Sequence, residues 1–427
     1  MKIHDFSQGI QNGEFDSVLK KLYGSSDSTL CYQRNRYIDA LDSFSVLYPK
    51  HEDIRIFSAP GRTEIGGNHT DHQNGCVLAA AVNFDVIGVV AFHDEDVIRI
   101  KSQGYDAFQF DINDLSVRHG KKDSEDIVRG IVAKFIELGV QIQGFDLYTT
   151  SDVLAGSGIS SSAAFETLVG TIIDLCCNNG KAGAVEIAKI GQFAENVYFG
   201  KKSGLMDQMV SSVGGLVSID FMDTNNPLID SFQFDFEGAG YCLCITDTKG
   251  SHEHLTPDYV AIRSEMESVA AFFEKTCLRF VDEVAFYDKL PELRKNCTDR
   301  AILRAAHFFS ENRRACQETI ALKNGDIESF LQLVRESGNS SANYLQNLYS
   351  VTQPATQEIP VAIMLSKRIL CETGAVRVHG GGFAGTIQAF VPLDKVECYE
   401  KEMNRIFSDG SCHRMRIRPV GGLEITK

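Results

Sequence analysis

A chain of 427 residues exceeds the ~250–300 residues at which a single hydrophobic core stops growing, so two domains with a cleft between them are expected. Its 43% hydrophobic and 23% charged residues exclude a disordered or fibrous chain, and a net charge of −15 excludes binding nucleic acid or anionic lipid through the overall field. A polyanionic ligand would have to be held by local donors such as backbone amides and a metal ion.

Residues 1–50 show helical spacing at Val18, Leu19 and Leu22 and again at Tyr37, Leu41 and Phe44, without evident chemistry. The charged N-terminus lacks the apolar stretch of a signal peptide, and no run of eighteen apolar residues occurs, so a cytoplasmic, soluble protein is expected. Strands follow at Ile54–Phe57, Val86–Phe92, Val97–Ile100 and Phe108–Ile112, with short polar turns that suggest antiparallel hairpins. Ala59–Gly75 reads as a polar loop between apolar strands, with Asp and Asn suited to adjacent hydroxyls of a polyhydroxylated ligand.

Helices then take over. One carries Ile127, Ile131, Phe135 and Leu138 on one stripe with Ser124 as N-cap, a second runs from about Phe165 to Asn178, and a third spans about 182–198. Strands are expected at Leu216–Phe221 and Phe232–Phe236, with a domain boundary near there. The second half opens on the strand Tyr241–Ile245, continues with helices to about Thr373 and returns to strands around a glycine cluster. The twelve cysteines contain no CxxC pair, which argues against a zinc ribbon or redox dithiol motif, and most read as buried hydrophobes of a reducing compartment.

Between the first two helices, Gly156–Ser157–Gly158 and Ser160–Ser161–Ser162 join loop amides and hydroxyls to a helix N-terminus. That suits phosphate without a lysine, or else serves only as a flexible cap. GxxxxGK[ST] is absent, which excludes a P-loop enzyme. Gly380 to Gly385 matches GxGxxG, but the strand-like TIQAFV that follows replaces the helix a dinucleotide fold requires. Asp207, beside apolar neighbours in SGLMDQ, is a candidate base, and Glu195 a candidate cation ligand.

Taken in order, GRTEIGGNHTDHQNG, LAGSGISSSAAFE, SGLMDQ and VRVHGGGFAG resemble the motifs of the GHMP kinases and, within them, of the galactokinases. The resemblance spans about Arg55 to Val391 and implies an α+β, two-domain GHMP kinase fold with the active site in the cleft. The expected division is an extension over 1–50, an N-terminal domain over 51–236 and a C-terminal domain over 237–427. It implies ATP and Mg2+, and phosphorylation of the anomeric hydroxyl of galactose. Asp207 would be the base or orienter and Arg62 its electrostatic partner. Asn68, His69, Asp71, Gly204 and Tyr259 would touch the sugar. Gly156, Ser157, Gly158, Ser160, Ser161, Gly380, Gly381 and Gly382 would serve the nucleotide, and Ser162 and Glu195 the metal. The expected partners are a small sugar and ATP, with no nucleic acid or membrane, on a monomer or weak homo-oligomer.

Two departures bear on the sugar. Asn68 stands where galactokinases generally have glutamate, and His72 where they have tyrosine. A kinase of a C6- or C2-modified sugar such as galacturonate or N-acetylgalactosamine is the alternative; for galacturonate, losing the glutamate carboxylate removes a repulsion. A non-catalytic sugar and ATP sensor is the rival from another class, and the complete serine-rich motif, Arg62 and Asp207 argue against it. The chain has no tryptophan, which leaves the adenine contacts open.

Overall fold

The computed structural model describes residues 1–118, 120–153, 159–201, 203–251 and 254–427. Gly156, Ser157 and Gly158 lie outside the described residues. Three helices, α1 (Ile3–Gln11), α2 (Asp16–Tyr23) and α3 (Asp27–Leu47), come first. Their stripes, with Leu19, Leu22, Tyr37, Leu41 and Phe44, pack on Ile87, Val89 and Tyr148, so the segment buries one face of a sheet.

That sheet contains β1 (Arg55–Gly66), β2 (Cys76–His93), β3 (Val97–Ser102), β4 (Phe108–Asp111), β5 (Gly144–Ser151), β6 (Leu216–Asp220), β7 (Leu228–Phe232) and β12 (Leu423–Glu424). Its path is β12-β1-β2-β5-β3-β4, with β6 pairing β2 and β7 pairing β6. All of these pairs are antiparallel except β3 with β5. Helices α4 (Ser124–Glu137), α5 (Ser161–Cys177), α6 (Gly183–Phe193) and α7 (Met206–Val213) belong to the same half of the chain. Ile131, Leu168, Val169 and Ile172 join Val90 and Leu147 in its core.

The second half has a four-stranded antiparallel sheet of β8 (Tyr241–Asp247), β9 (Ala375–Val378), β10 (Thr386–Pro392) and β11 (Cys412–Met415), ordered β11-β8-β10-β9. Around it lie α8 (Thr256–Phe272), α9 (Glu283–Asp288), α10 (Leu290–Asn296), α11 (Asp299–Lys323), α12 (Ile327–Ser340), α13 (Glu358–Leu370) and α14 (Val396–Phe407). Helix α11 packs on both β2 and α12 and so connects the two halves.

The last residues do not stay with this second sheet. Arg418 N donates to Ala81 O at 2.9 Å, Ile425 N donates to Ile56 O at 2.8 Å, and β12 pairs with β1. Arg418 also reaches the fully buried Asp85, with Nη1 3.1 Å from Oδ2. Arg36 of α3 holds the other oxygen at 3.0 Å, and Tyr23 and Ser58 donate their hydroxyls to the same carboxylate. Arg36 further pairs with Asp152 at 3.0 Å, so the N-terminal helices are tied to the end of the strand that leads into the glycine–serine loop.

Several expectations need correction. The first part of Ala59–Gly75 is strand rather than loop: β1 continues to Gly66, because register shifts between Pro60 and Arg62 and between Glu64 and Gly66 absorb the proline and glycines. Strand β5 has no counterpart in the sequence reading, since GFDLYTT lacks a clean alternation and is buried over most of its length. The N-cap of α4 is Asp123, in a reciprocal capping box with Asp126, one residue before the expected Ser124. Strand β7 ends at Phe232 instead of starting there. The GxGxxG segment does lead into a strand, β10, as its hydrophobic run implied.

Candidate active site

The site begins where β1, α5 and α7 converge. Arg62 lies on β1 just after Gly61, where a side chain would meet Ile159 O at 2.8 Å; only glycine lets the strand approach this closely. Arg62 N then donates to Ile159 O at 3.0 Å. Its guanidinium reaches Asp207, in the first turn of α7, with Nε and Nη2 each 2.7 Å from Oδ1. Ser160, in a left-handed conformation immediately before α5, donates its hydroxyl to Asp207 Oδ2.

Desolvation works to raise the Asp207 pKa, but the charge and hydrogen bonds of Arg62, then the Ser160 hydroxyl, outweigh it and hold the carboxyl below its ordinary value. Arg62 is raised in turn: burial opposes its charge, and Asp207 more than compensates. The structure thus brings three expected residues, Arg62, Ser160 and Asp207, into direct contact.

Ser161 and Ser162 open α5 and line a cavity of about 360 Å³. Ile127, Phe165 and Phe199 supply its apolar walls, with Tyr105 and Gln103 also lining it. Tyr105 and Phe199 were missed as site residues because they sit in segments of no distinctive composition, brought here by β3 and the turn after α6. Ser124 and Ile127, read from the sequence as the start and the apolar stripe of α4, also line the cavity.

Glu195 lies on the π-helical turn after α6 and is buried, with Lys201 Nζ 3.2 Å from Oε1 and Gln208 Nε2 donating to Oε2 at 3.0 Å. The same Gln208 nitrogen donates to Glu166 Oε2 at 2.9 Å. Glu166, four residues after Ser162 on α5, was missed by the sequence reading although it closes the quoted motif. Burial, then the Glu195 charge, pushes its carboxyl well above the ordinary value, and its Oε1 has no hydrogen-bond partner. Among the described residues no group of three or more His, Cys, Asp or Glu is arranged to hold a metal. A hydroxyl and one carboxylate nevertheless suit Mg2+, which takes one or two protein carboxylates and completes its shell with water and phosphate oxygens.

The turn that follows β1 is closed by Thr70, whose hydroxyl contacts Gly67 O at 2.8 Å and Cys76 O at 2.6 Å. Asn68 is fully buried and its amide is saturated by protein groups. Nδ2 donates to Glu64 Oε1 at 3.1 Å and to Gly380 O at 2.7 Å, while Oδ1 accepts from Asn347 at 3.0 Å and Ser341 at 3.4 Å. The sequence reading gave this amide to the ligand; here its donors and acceptors face the protein instead.

Glu64 is paired with Arg377 at 2.7 Å, and Glu311 accepts from the backbone N–H of Asn68 at 3.2 Å. Burial would raise Glu311, but His307, Arg314 and Arg377 bring its pKa down to about 2. None of Glu64, Glu311 or Arg377 was anticipated, because their relation is set by the packing of β1, α11 and β9.

The glycine cluster meets the same turn. The carbonyls of Gly380, Gly381 and Gly382 contact Asn68 Nδ2, His69 Nε2 at 2.9 Å, and Tyr259 OH at 2.8 Å, respectively. Asp71 faces Gly204, where a Cβ would stand 3.5 Å from Oδ2. His72 stacks edge-on to His69 with centroids 5.5 Å apart, and burial lowers its pKa to about 3. Expected sugar and nucleotide residues from both halves of the chain therefore gather around one turn.

Comparison with known proteins gives the family. Residues 42–92 match the galactokinase galactose-binding signature, and residues 126–215 match the GHMP kinases N terminal domain. A galactokinase of Glaesserella parasuis is 34% identical over 351 residues, covering 80% of this chain and 86% of that one. One from Actinobacillus pleuropneumoniae serotype 5b is 33% identical over 373 residues, covering 87% and 92%. The fold is similar to that of Lactococcus lactis galactokinase complexed with galactose, with a TM-score of 0.76 and 21% identity over 91% of this chain and 99% of that one. A mevalonate kinase shares it at a TM-score of 0.61 and 15% identity, covering 85% and 98%. The fold is common to both enzymes, whereas extended sequence identity and the galactose-binding signature point one way: the chain belongs to the galactokinase family of the GHMP kinases.

Proposed function

We propose that this chain transfers the γ-phosphoryl group of ATP to the anomeric hydroxyl of galactose, giving galactose 1-phosphate and ADP. The observation that carries this reading is Asp207, kept as a carboxylate between Arg62 and Ser160 in the first turn of α7. Phosphoryl transfer asks for positioning and charge neutralisation more than covalent chemistry. The hydroxyl oxygen forms a bond to the γ-phosphorus as the bridging P–O bond to ADP breaks, and the hydroxyl proton passes to Asp207. A carboxylate this acidic takes that proton only once the new P–O bond has made the hydroxyl acidic, so its first task is to orient the attacking oxygen. Arg62 offsets negative charge at the same point.

His69, Asp71, Gly204 and Tyr259 surround the proposed sugar position. Asn68 shapes it from behind, through its contacts with Gly380 and Asn347. The aromatic cavity beside Ser161 and Ser162 suits the adenine and ribose, with phosphates directed to the N-terminus of α5. Ser162 and Glu195 would hold Mg2+, which supplies neutralisation of phosphate charge.

The test measures ADP release with galactose, galacturonate and N-acetylgalactosamine, in the parent and in D207N. Galactose is expected to be the best substrate, and D207N to lower kcat by about 100-fold or more while leaving the KM for ATP within about twofold. Faster turnover of galacturonate would overturn the choice of sugar, and near-parental kcat in D207N would overturn the role of Asp207.

A further inference from the structure

Side chains of the turn Asp71–Gln73, with His69 just before it, form a chain of hydrogen bonds whose direction is fixed at both ends. Gln73 is fully buried, and its amide oxygen accepts from the Leu278 backbone N–H at 3.0 Å. A backbone N–H only donates, so the amide nitrogen must point the other way, where it lies 3.4 Å from His72 Nδ1 and donates to it. At the opposite end His69 Nε2 lies 2.9 Å from Gly381 O, which only accepts, so this nitrogen carries a proton. Between them His72 Nε2 is 3.4 Å from His69 Nδ1.

One placement of protons satisfies all of these contacts. His72 Nδ1 accepts from Gln73, so the His72 proton sits on Nε2 and is donated to His69 Nδ1; the His69 proton then sits on Nε2 and is donated to Gly381 O. A protonated His72 would set an Nδ1–H against the Gln73 N–H, and burial, the largest influence on this ring, lowers its pKa to about 3. The chain of bonds starts and ends on the second half of the protein, at the turn Leu278–Phe280 and at the glycine cluster, while the three side chains belong to the first half. His69 also has a left-handed backbone, with φ of 60°, which a residue with a β-carbon keeps only where its surroundings hold it.

We propose that His72 is a positioning residue of the sugar site: it holds His69 in the tautomer with the proton on Nε2, and so keeps that nitrogen a donor to the glycine cluster. A neutral imidazole has one donor and one acceptor nitrogen, and the partner of one nitrogen decides the role of the other. Without His72, the His69 ring divides between its two tautomers. In the second of these, Nε2 turns a lone pair towards the lone pairs of Gly381 O, and the ring is pushed from its place.

The neighbouring carbonyls of the cluster have other donors, Asn68 Nδ2 for Gly380 and Tyr259 OH for Gly382, so the cluster itself stays and the disturbance is confined to His69. The expected consequence is weaker sugar binding with nucleotide binding unchanged, and this consequence rests on the reading of His69 as a sugar residue. The departure from tyrosine at position 72 thus acts on the sugar through His69.

The experiment labels the histidine ring nitrogens of the full chain and reads their protonation by proton–nitrogen NMR correlation, alongside galactose and ATP kinetics. The two rings are assigned by the loss of their signals in H69F and H72F. Both are expected to carry the proton on Nε2 in the parent, and His69 to divide between its tautomers in H72F. The KM for galactose should rise about threefold or more in H72F with the KM for ATP within about twofold. H72Q, whose amide keeps an acceptor oxygen and a donor nitrogen, should recover most of that loss. A proton on Nδ1 of either ring in the parent, or an unaltered His69 in H72F, overturns the tautomer assignment. A parental galactose KM in H72F, an equal rise in both KM values, or an H72Q protein as impaired as H72F overturns the positioning role. Absence of galactose turnover in the parent counts against the kinase reading alone, because the tautomers are read without substrate.

Discussion

Glu318 offers a quantitative test of the polar core that joins the two halves. It lies on α11 beneath Gly66, fully buried, and neither of its carboxyl oxygens has a hydrogen-bond partner. Burial first, then the charge of Glu311, raises its pKa well above the ordinary 4.5, against the opposing pull of Arg377 and Arg314. The folded chain therefore keeps a proton on Glu318 at pH values where the unfolded chain has released it. For a raised acid the cost begins at the unfolded value and grows by about 1.4 kcal/mol per pH unit until the folded value is reached. E318Q keeps the shape and has no proton to retain. It should be more stable than the parent above pH 4.5, by a margin that widens as the pH rises from there and vanishes near pH 4.5 and below. Thermal midpoints of both proteins in buffers of equal ionic strength, from pH 4.5 to 6.5, read the difference directly. A gap that stays constant with pH, or an E318Q protein less stable at pH 6.5, would refute the protonated state.

The same region supports three further expectations. A Cβ at Gly66 would stand 1.6 Å from Glu318 Oε2, so G66A should cost about 1–3 kcal/mol, and combining it with E318A should cost less than the sum of the two single changes in a thermal double-mutant cycle. N68D replaces donors to Glu64 and Gly380 by a buried negative charge and should cost about 3–5 kcal/mol near neutral pH, read as a lower unfolding midpoint together with a raised KM for galactose. Glu311, whose pKa is depressed to about 2, contributes stability that is full above its ordinary 4.5 and is lost as pH falls from there towards 2. E311Q should remove that acid-sensitive contribution, worth about 3 kcal/mol, and flatten the acid side of the stability profile measured by chemical unfolding.

The residues that sequence made legible are those whose chemistry is local. Ser160 and Asp207 stand beside glycines in short motifs, and their roles follow from neighbours a few positions away along the chain. Helix α5 was legible because its apolar run and its stop at Asn178 and Gly180 are local too. Partners set by tertiary packing were not. Glu64 reads as a polar strand residue until Arg377 arrives from β9, and Glu318 reads as a surface helix residue until Gly66 gives its carboxyl a place under β1. The protein partners of Asn68 were hidden for a related reason: its amide is consistent with a ligand contact in sequence, and only the approach of Gly380, Ser341 and Asn347 shows which protein groups it bonds. Strand β1 ran further than its composition suggested, since bulges admit proline and glycine at a cost that neighbouring strands offset.

The return of the last residues to the first sheet has a consequence for how the enzyme is made. A ribosome delivers the strands β1 to β7 long before Arg418 and Leu423–Glu424 exist. Until then β1 has an unpaired edge, and Asp85 lacks one of its two arginine counter-charges in a site closed to water. The nascent N-terminal half can collapse but not complete its own sheet, and without Arg418 a fully buried ionic cluster remains unfinished. A chain cut before Arg418 is therefore expected to be less stable, and more readily proteolysed, than one that carries Arg418 and β12.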